Sequence, residues 1–223
     1  FLSTGSTPGL ALLFVLGMAA GICLGIGYKT RYAGLFCWYF TVCLQLRNPA
    51  VLDGGDEFLR LLLFWSPLLP LSARWSVEAT QNPQWQSLSN GYRSLSTAAI
   101  YVQFAVLYFF AAYLKTGDVW RKTGLAIYYA LSIDQYCTRF GKWLLGFPDL
   151  LRHLTPAVLL CEFSIALLLL FPAGWVRFRY ALLALAVGVH ASFWLSFHFG
   201  IFMPVMILVW VVFLPTPLLN RLT

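Results

Sequence analysis

Long apolar runs separated by short polar steps make up almost the whole chain. Positions 9–27 carry no charge, and a helix rising 1.5 Å per residue needs about 20 such residues to cross a hydrocarbon core of roughly 30 Å. That run therefore predicts a spanning helix. A second, shorter span is predicted over 32–46, ending at Arg47-Asn48-Pro49, where proline stops regular helix. After the polar turn Asp53-Gly54-Gly55-Asp56-Glu57, the apolar stretch 58–71 is too short for an easy crossing and is broken by Pro67 and Pro70, which predicts a re-entrant segment. In the polar turn, Asp56 and Glu57 lie one helical turn from Arg60, predicting a local ion pair. The extended polar segment 72–96, with Trp75 and Trp85, reads as an interfacial loop. Positions 96–114 are again long enough to span, 124–136 predict an interfacial amphipathic helix, and 154–171, 178–195 and 200–214 predict three more spans, the last ending at Pro215 and Pro217. The expected fold is all-α, a polytopic membrane helix bundle with about six to eight membrane-inserted segments, some short or re-entrant. It is expected to form one domain over 1–223 with no separate soluble domain.

Composition sharpens this picture. Hydrophobic residues make up 60% of the chain and charged residues 10%, against roughly 45–50% and 25% in soluble domains. The net charge of +7 is spread over loop ends without a basic run, so a nucleic-acid surface is excluded and lipid headgroups are the expected contact. Five cysteines without metal spacing argue for neither disulfides nor a zinc site, and His190 and His198, eight apart on a helix, are not a metal pair. The chain opens on Phe1 with no charged region ahead of the first apolar run, so an upstream helix is expected to be missing.

Candidate chemistry lies where polar groups interrupt apolar runs. Lys115 closes the run 96–114, and Tyr101, Phe104, Tyr108 and Lys115 share roughly one helical stripe. Such a lysine is either a flanking residue reaching the headgroups beside interfacial tyrosines or part of a groove carrying an amine and two phenols. Glu162 and His190 lie deep in apolar runs, where ionisable groups are costly and functional candidates by default. Each is the obvious partner of the other. Gly17, Gly21 and Gly25 repeat every four residues and form a bare strip suited to close helix approach.

The segments RNPAVLDGGDEFLRL, ARWSVE and YFFAAYLKTGDVWRKTGLAIYY, then Glu162 and VGVHASFW, resemble in order and spacing the horizontally transferred transmembrane (HTTM) domain family, whose best-known member is the vitamin K-dependent γ-glutamyl carboxylase. The resemblance implies that Lys115 is the base acting on a quinone-like lipid, vitamin K hydroquinone in the carboxylase. Asn48, Tyr108, Tyr101 and Trp120 then become substrate-binding candidates, and Glu162 with His190 a structural polar pair. It also implies a bacterial-type inner-membrane protein. Two positions depart from the family's pattern: Pro49 replaces the histidine that follows the asparagine, and Leu114 replaces the first lysine of a doublet. Proline can neither donate a hydrogen bond nor stabilise an oxyanion, so full glutamate carboxylation is not expected. The alternative expectation is a non-catalytic membrane subunit that packs through the glycine strip into a larger complex or assists a partner's maturation.

Overall fold

The computed structural model describes residues 6–73, 75–82, 94–170 and 176–214. Positions 74 and 83–93 of the polar segment, including Trp85, and Pro215 and Pro217 lie outside the described residues. The described structure is helical, with two 3₁₀ turns and one isolated antiparallel bridge between Cys137 and Phe197. Four of its helices are long and apolar enough to cross a membrane: Thr7–Gly25, Leu95–Tyr113, Pro148–Leu169 and Arg177–Ser196. The chain is a helical membrane protein. It divides into two compact units, Phe1–Thr97 and Ala98–Thr223.

In the first unit, α1 (Thr7–Gly25) starts on Ser6, whose hydroxyl accepts from Gly9 N–H, with Pro8 in the first turn where it costs no hydrogen bond. It packs on α2 (Thr30–Arg47) through Phe14 and Phe40, whose rings meet edge to face at 5.9 Å. Gly17 lies against the Phe40 ring, whereas among the described residues nothing lies within 4 Å of a Cβ placed at Gly21 or Gly25. The predicted bare strip is thus partly filled inside the chain and otherwise open. At the end of α1, Gly27 adopts φ +71°, and a Cβ there would strike Ser76. Ser76 caps α4 (Val77–Gln81), and the N–H groups of Val77 and Glu78 donate to the Ile26 and Gly27 carbonyls at 3.0 and 3.2 Å. The Trp-Ser-Val-Glu step therefore closes the C-terminus of the first helix, supplying donors to carbonyls that lack helical partners.

Helix α3 (Gly54–Trp65) opens with a capping box, the Asp53 carboxylate accepting from Asp56 N–H and Asp56 from Asp53 N–H. The expected local ion pair forms between Glu57 and Arg60, while Asp56 is committed to the cap instead. Gln45 ties α2 to α3, donating to Asp56 O at 2.9 Å and accepting from Arg60 at 3.4 Å. Pro67 ends the run in a 3₁₀ turn after only twelve helical residues, too short to cross a bilayer.

The second unit is built on α5 (Leu95–Tyr113), α9 (Pro148–Leu169), α10 (Val176–Ser196) and the shorter α11 (Phe202–Val212). Between α5 and α9 run three short helices, α6 (Asp118–Arg121), α7 (Ala126–Leu131) and α8 (Arg139–Leu144). Where they meet α9 and the end of α10 lies a small core of Leu131, Cys137, Leu151 and Phe197. Thr138 anchors the end of α10 there, its N–H donating to Ser196 O at 3.1 Å and its hydroxyl to Leu195 O at 2.5 Å. These contacts fix α9 and α10 beside the polar ends of the short helices.

Candidate functional site

Helix α5 ends at Tyr113, and its last carbonyls have no helical partners. Arg121 supplies them: its Nε donates to Lys115 O at 3.0 Å, and its Nη2 to Tyr113 O at 3.3 Å and Ala112 O at 3.4 Å. A cation at the negative end of a helix is also electrostatically favourable. The same short helix places the Trp120 ring 5.1 Å from Lys115 Nζ, a cation–π distance. Lys115 is therefore held by its own backbone and by an aromatic face.

Its ammonium reaches inward. Lys115 Nζ lies 2.5 Å from both carboxylate oxygens of Glu162, about two-thirds of the way along α9. The Glu162 side chain is 9% exposed and that of Lys115 25%. A carboxylate this deep in an apolar helix needs a partner, and the two-oxygen contact with a cation provides one. Neighbouring α9 contacts fix its depth: the Thr155 hydroxyl accepts from Ile127 N–H at 3.4 Å and donates to Leu151 O at 3.0 Å.

A second polar pair lies in the same unit. His190 Nδ1 is 2.7 Å from Ala186 O, and a carbonyl can only accept, so Nδ1 carries the proton. Nε2 is then the acceptor for the Tyr108 hydroxyl, 3.3 Å away. The imidazole sits among Phe193, Phe202 and Trp210, with ring centroids 5.9–6.3 Å apart. The Trp210 ring also lies 5.8 Å from Tyr108, and its buried Nε1–H has no hydrogen-bond partner among the described residues.

The structure thus brings Lys115, Glu162 and Trp120 together, and Tyr108 with His190. It corrects the expected pairing of Glu162 with His190, because α9 turns the carboxylate to the end of α5 while His190 meets the middle of α5. Tyr101 is not part of this cluster: seven residues before Tyr108, about 10 Å along the helix, it packs edge-on to Phe213 at 4.8 Å and beneath Arg179 at 5.0 Å. Asn48 belongs to the first unit, where it ends α2 and leads into a 3₁₀ turn over Pro49–Val51. Arg121 and Trp210 were not legible as site residues. Arg121 acts through carbonyls six to nine residues back, a contact that needs the chain reversal after Tyr113. Trp210 sits in a uniformly apolar helix where only its lack of a partner marks it.

No family model and no solved structure matches the chain. It is similar to the sporulation-delaying protein SdpB of Bacillus subtilis (strain 168), 26% identical over 126 residues that cover 54% of this chain and 36% of SdpB. It is also similar to the uncharacterized protein YitO of the same strain, 29% identical over 110 residues, 47% of this chain and 34% of YitO. The matched part spans about a third of the length of each relative.

Proposed function

We propose that this chain is a bacterial inner-membrane enzyme of the HTTM type that uses Lys115 to take a proton from a hydroquinone-like lipid. The observation that carries this reading is the two-oxygen contact between Lys115 and Glu162 at an apolar helix end, under the Trp120 ring. The sequence resemblance to carboxylase-type membrane domains supports it, and the relatives from Bacillus subtilis support only the bacterial part of the reading. The short helices α2, α3 and α11 add membrane-inserted segments to the four spanning ones in this reading.

The residues fit such a substrate in chemical type. An ammonium in an ion pair has no lone pair to offer, so Lys115 becomes a base only after its proton crosses to the Glu162 carboxylate. The neutral amine then accepts the substrate's O–H proton, leaving an ammonium beside the new phenolate and the first proton on Glu162. Trp120 offers a flat face for an aromatic ring.

Oxygen uptake with a short-chain naphthohydroquinone, measured on the purified chain in lipid nanodiscs, tests this function. Wild type should exceed the spontaneous rate by at least about tenfold, and Lys115→Ala should fall to background, consistent with the roughly 10²–10⁴-fold effect of a positioned base. Equal rates in wild type and K115A would remove the enzyme reading.

A second reading is favoured by α1, which has no buried residue and whose Gly21 and Gly25 meet nothing within 4 Å among the described residues. On that reading the chain is a non-catalytic membrane subunit whose first helix is covered by a partner, and the Lys115–Glu162 pair is structural. Co-purification of one defined partner, lost on Gly21→Leu, would support it.

A further inference from the structure

Beyond Lys115, the chain forms an open cleft of about 460 Å³ lined by Trp120, Arg121, Lys122, Thr123, Gly124, Arg152 and Pro156. Three of these seven side chains are cations and none is acidic. The Lys122 ammonium is partly balanced by Asp118, 3.0 Å away, while the two guanidiniums face backbone rather than carboxylates. Arg121 is held by the carbonyls that end α5, and Arg152 Nε donates to Thr123 O at 3.1 Å. A guanidinium has five N–H donors in a fixed fork, so a single bond at Nε fixes the Arg152 plane and leaves the rest of its fork for another acceptor.

The cleft wall is shaped by backbone chemistry. Pro156 has no N–H, so the Arg152 carbonyl loses the helical bond it would otherwise accept. The chain passes over that carbonyl at Gly124, where φ is +68° and a Cβ would lie 2.6 Å from Arg152 O. Only glycine allows this approach, which brings Thr123 and Arg152 into hydrogen-bond contact on one wall. Along α9, Arg152 is ten residues from Glu162, about 15 Å further from the ion pair. It lies among the polar residues 116–124, whereas Glu162 lies in the apolar half of the helix.

We infer that this cleft binds the phosphate of an anionic lipid headgroup. Two fixed guanidiniums and an exposed ammonium around an open wall with no acidic lining residue match a phosphate group in charge and in bidentate geometry. The position at the polar end of α5 and α9, with Trp120 on the rim, is that of a membrane interface, where aromatic residues collect and anionic lipids meet basic side chains. The proposal does not require catalysis at Lys115.

Native mass spectrometry of the full chain in neutral detergent, titrated with dioleoylphosphatidylglycerol or dioleoylphosphatidylcholine, tests it. One phosphatidylglycerol should be retained in preference to phosphatidylcholine, and the double variant K122Q/R152Q should weaken that retention about 30-fold, at roughly fivefold for each cation lost near an anionic lipid. Lys142→Gln, outside the cleft, should leave retention unchanged. Should the double variant not fold, K122Q alone is the test, since Lys122 is exposed, with an expected loss of about fivefold. Wild-type retention in the variants, equal retention of the two lipids, or displacement by millimolar inorganic phosphate would each overturn the proposal.

Discussion

At the scale of single residues, Lys115 and Glu162 depend on each other. Removing one member of a buried pair strands the other charge, which costs about 3–5 kcal/mol when both are fully buried. Lys115 is a quarter exposed, so K115M should cost about 2–3 kcal/mol, toward the low side of that range. The double variant K115M/E162L should recover most of that loss. Reversible unfolding in mixed micelles, read as a double-mutant cycle, measures both, and a double variant no more stable than K115M would mean that the two side chains are not coupled. Tyr108→Phe should cost about 1–3 kcal/mol by leaving His190 Nε2 without its donor, whereas a cost near zero would contradict the 3.3 Å bond. The sequence marks Lys115, Glu162 and His190 because each interrupts an apolar run. It does not mark the partners, because 47 residues separate Lys115 from Glu162 and their meeting depends on the depth and rotation at which α9 is set.

At the scale of elements, helix ends and glycines decide most of the local geometry. Gly124→Ala should destabilise the second unit by more than about 1–2 kcal/mol, the left-handed cost alone, because the new methyl also meets Arg152 O. Gly21→Ala should instead raise stability by up to about 1 kcal/mol, the helix-propensity gain, since its position is open among the described residues. Thermal unfolding of the two variants separates these signs, and a destabilising G21A would show that something outside the chain packs on α1. Among the short helices, Lys142 lies 2.9 Å from Asp134, which holds the Asp134 carboxyl below its usual range and the Lys142 ammonium above its own. Both shifts favour the charged pair in the folded state. The carboxylate's contribution is lost as pH falls through its lowered value, and the ammonium's as pH rises through its raised value. Both groups are exposed, so the effect should be small and vanish in high salt; Asp134→Asn should flatten the acid side of the stability profile. The apolar run lengths make α1, α5, α9 and α10 legible in advance. The capping box of α3 and the closure of α1 by α4 are not, because Asp56 and Ser76 each have several local partners open to them until the backbone is set.

At the scale of the whole molecule, the second unit gathers Lys115, Glu162 and His190, together with the aromatic and cationic residues beside them. Its polar layer, α6 to α8, fixes the ends of α5, α9 and α10, so that Lys115 points inward and the basic cleft outward. If the Lys115–Glu162 pair hands on a proton, infrared difference spectroscopy of the purified chain in nanodiscs reads the transfer at the carboxyl group. Adding a naphthohydroquinone to wild type should produce a carboxylic-acid carbonyl band, assigned to Glu162 by its absence in E162Q and lost in K115M. No such band, or the same band in E162Q, would contradict the account and leave the pair as a structural tie between two helices.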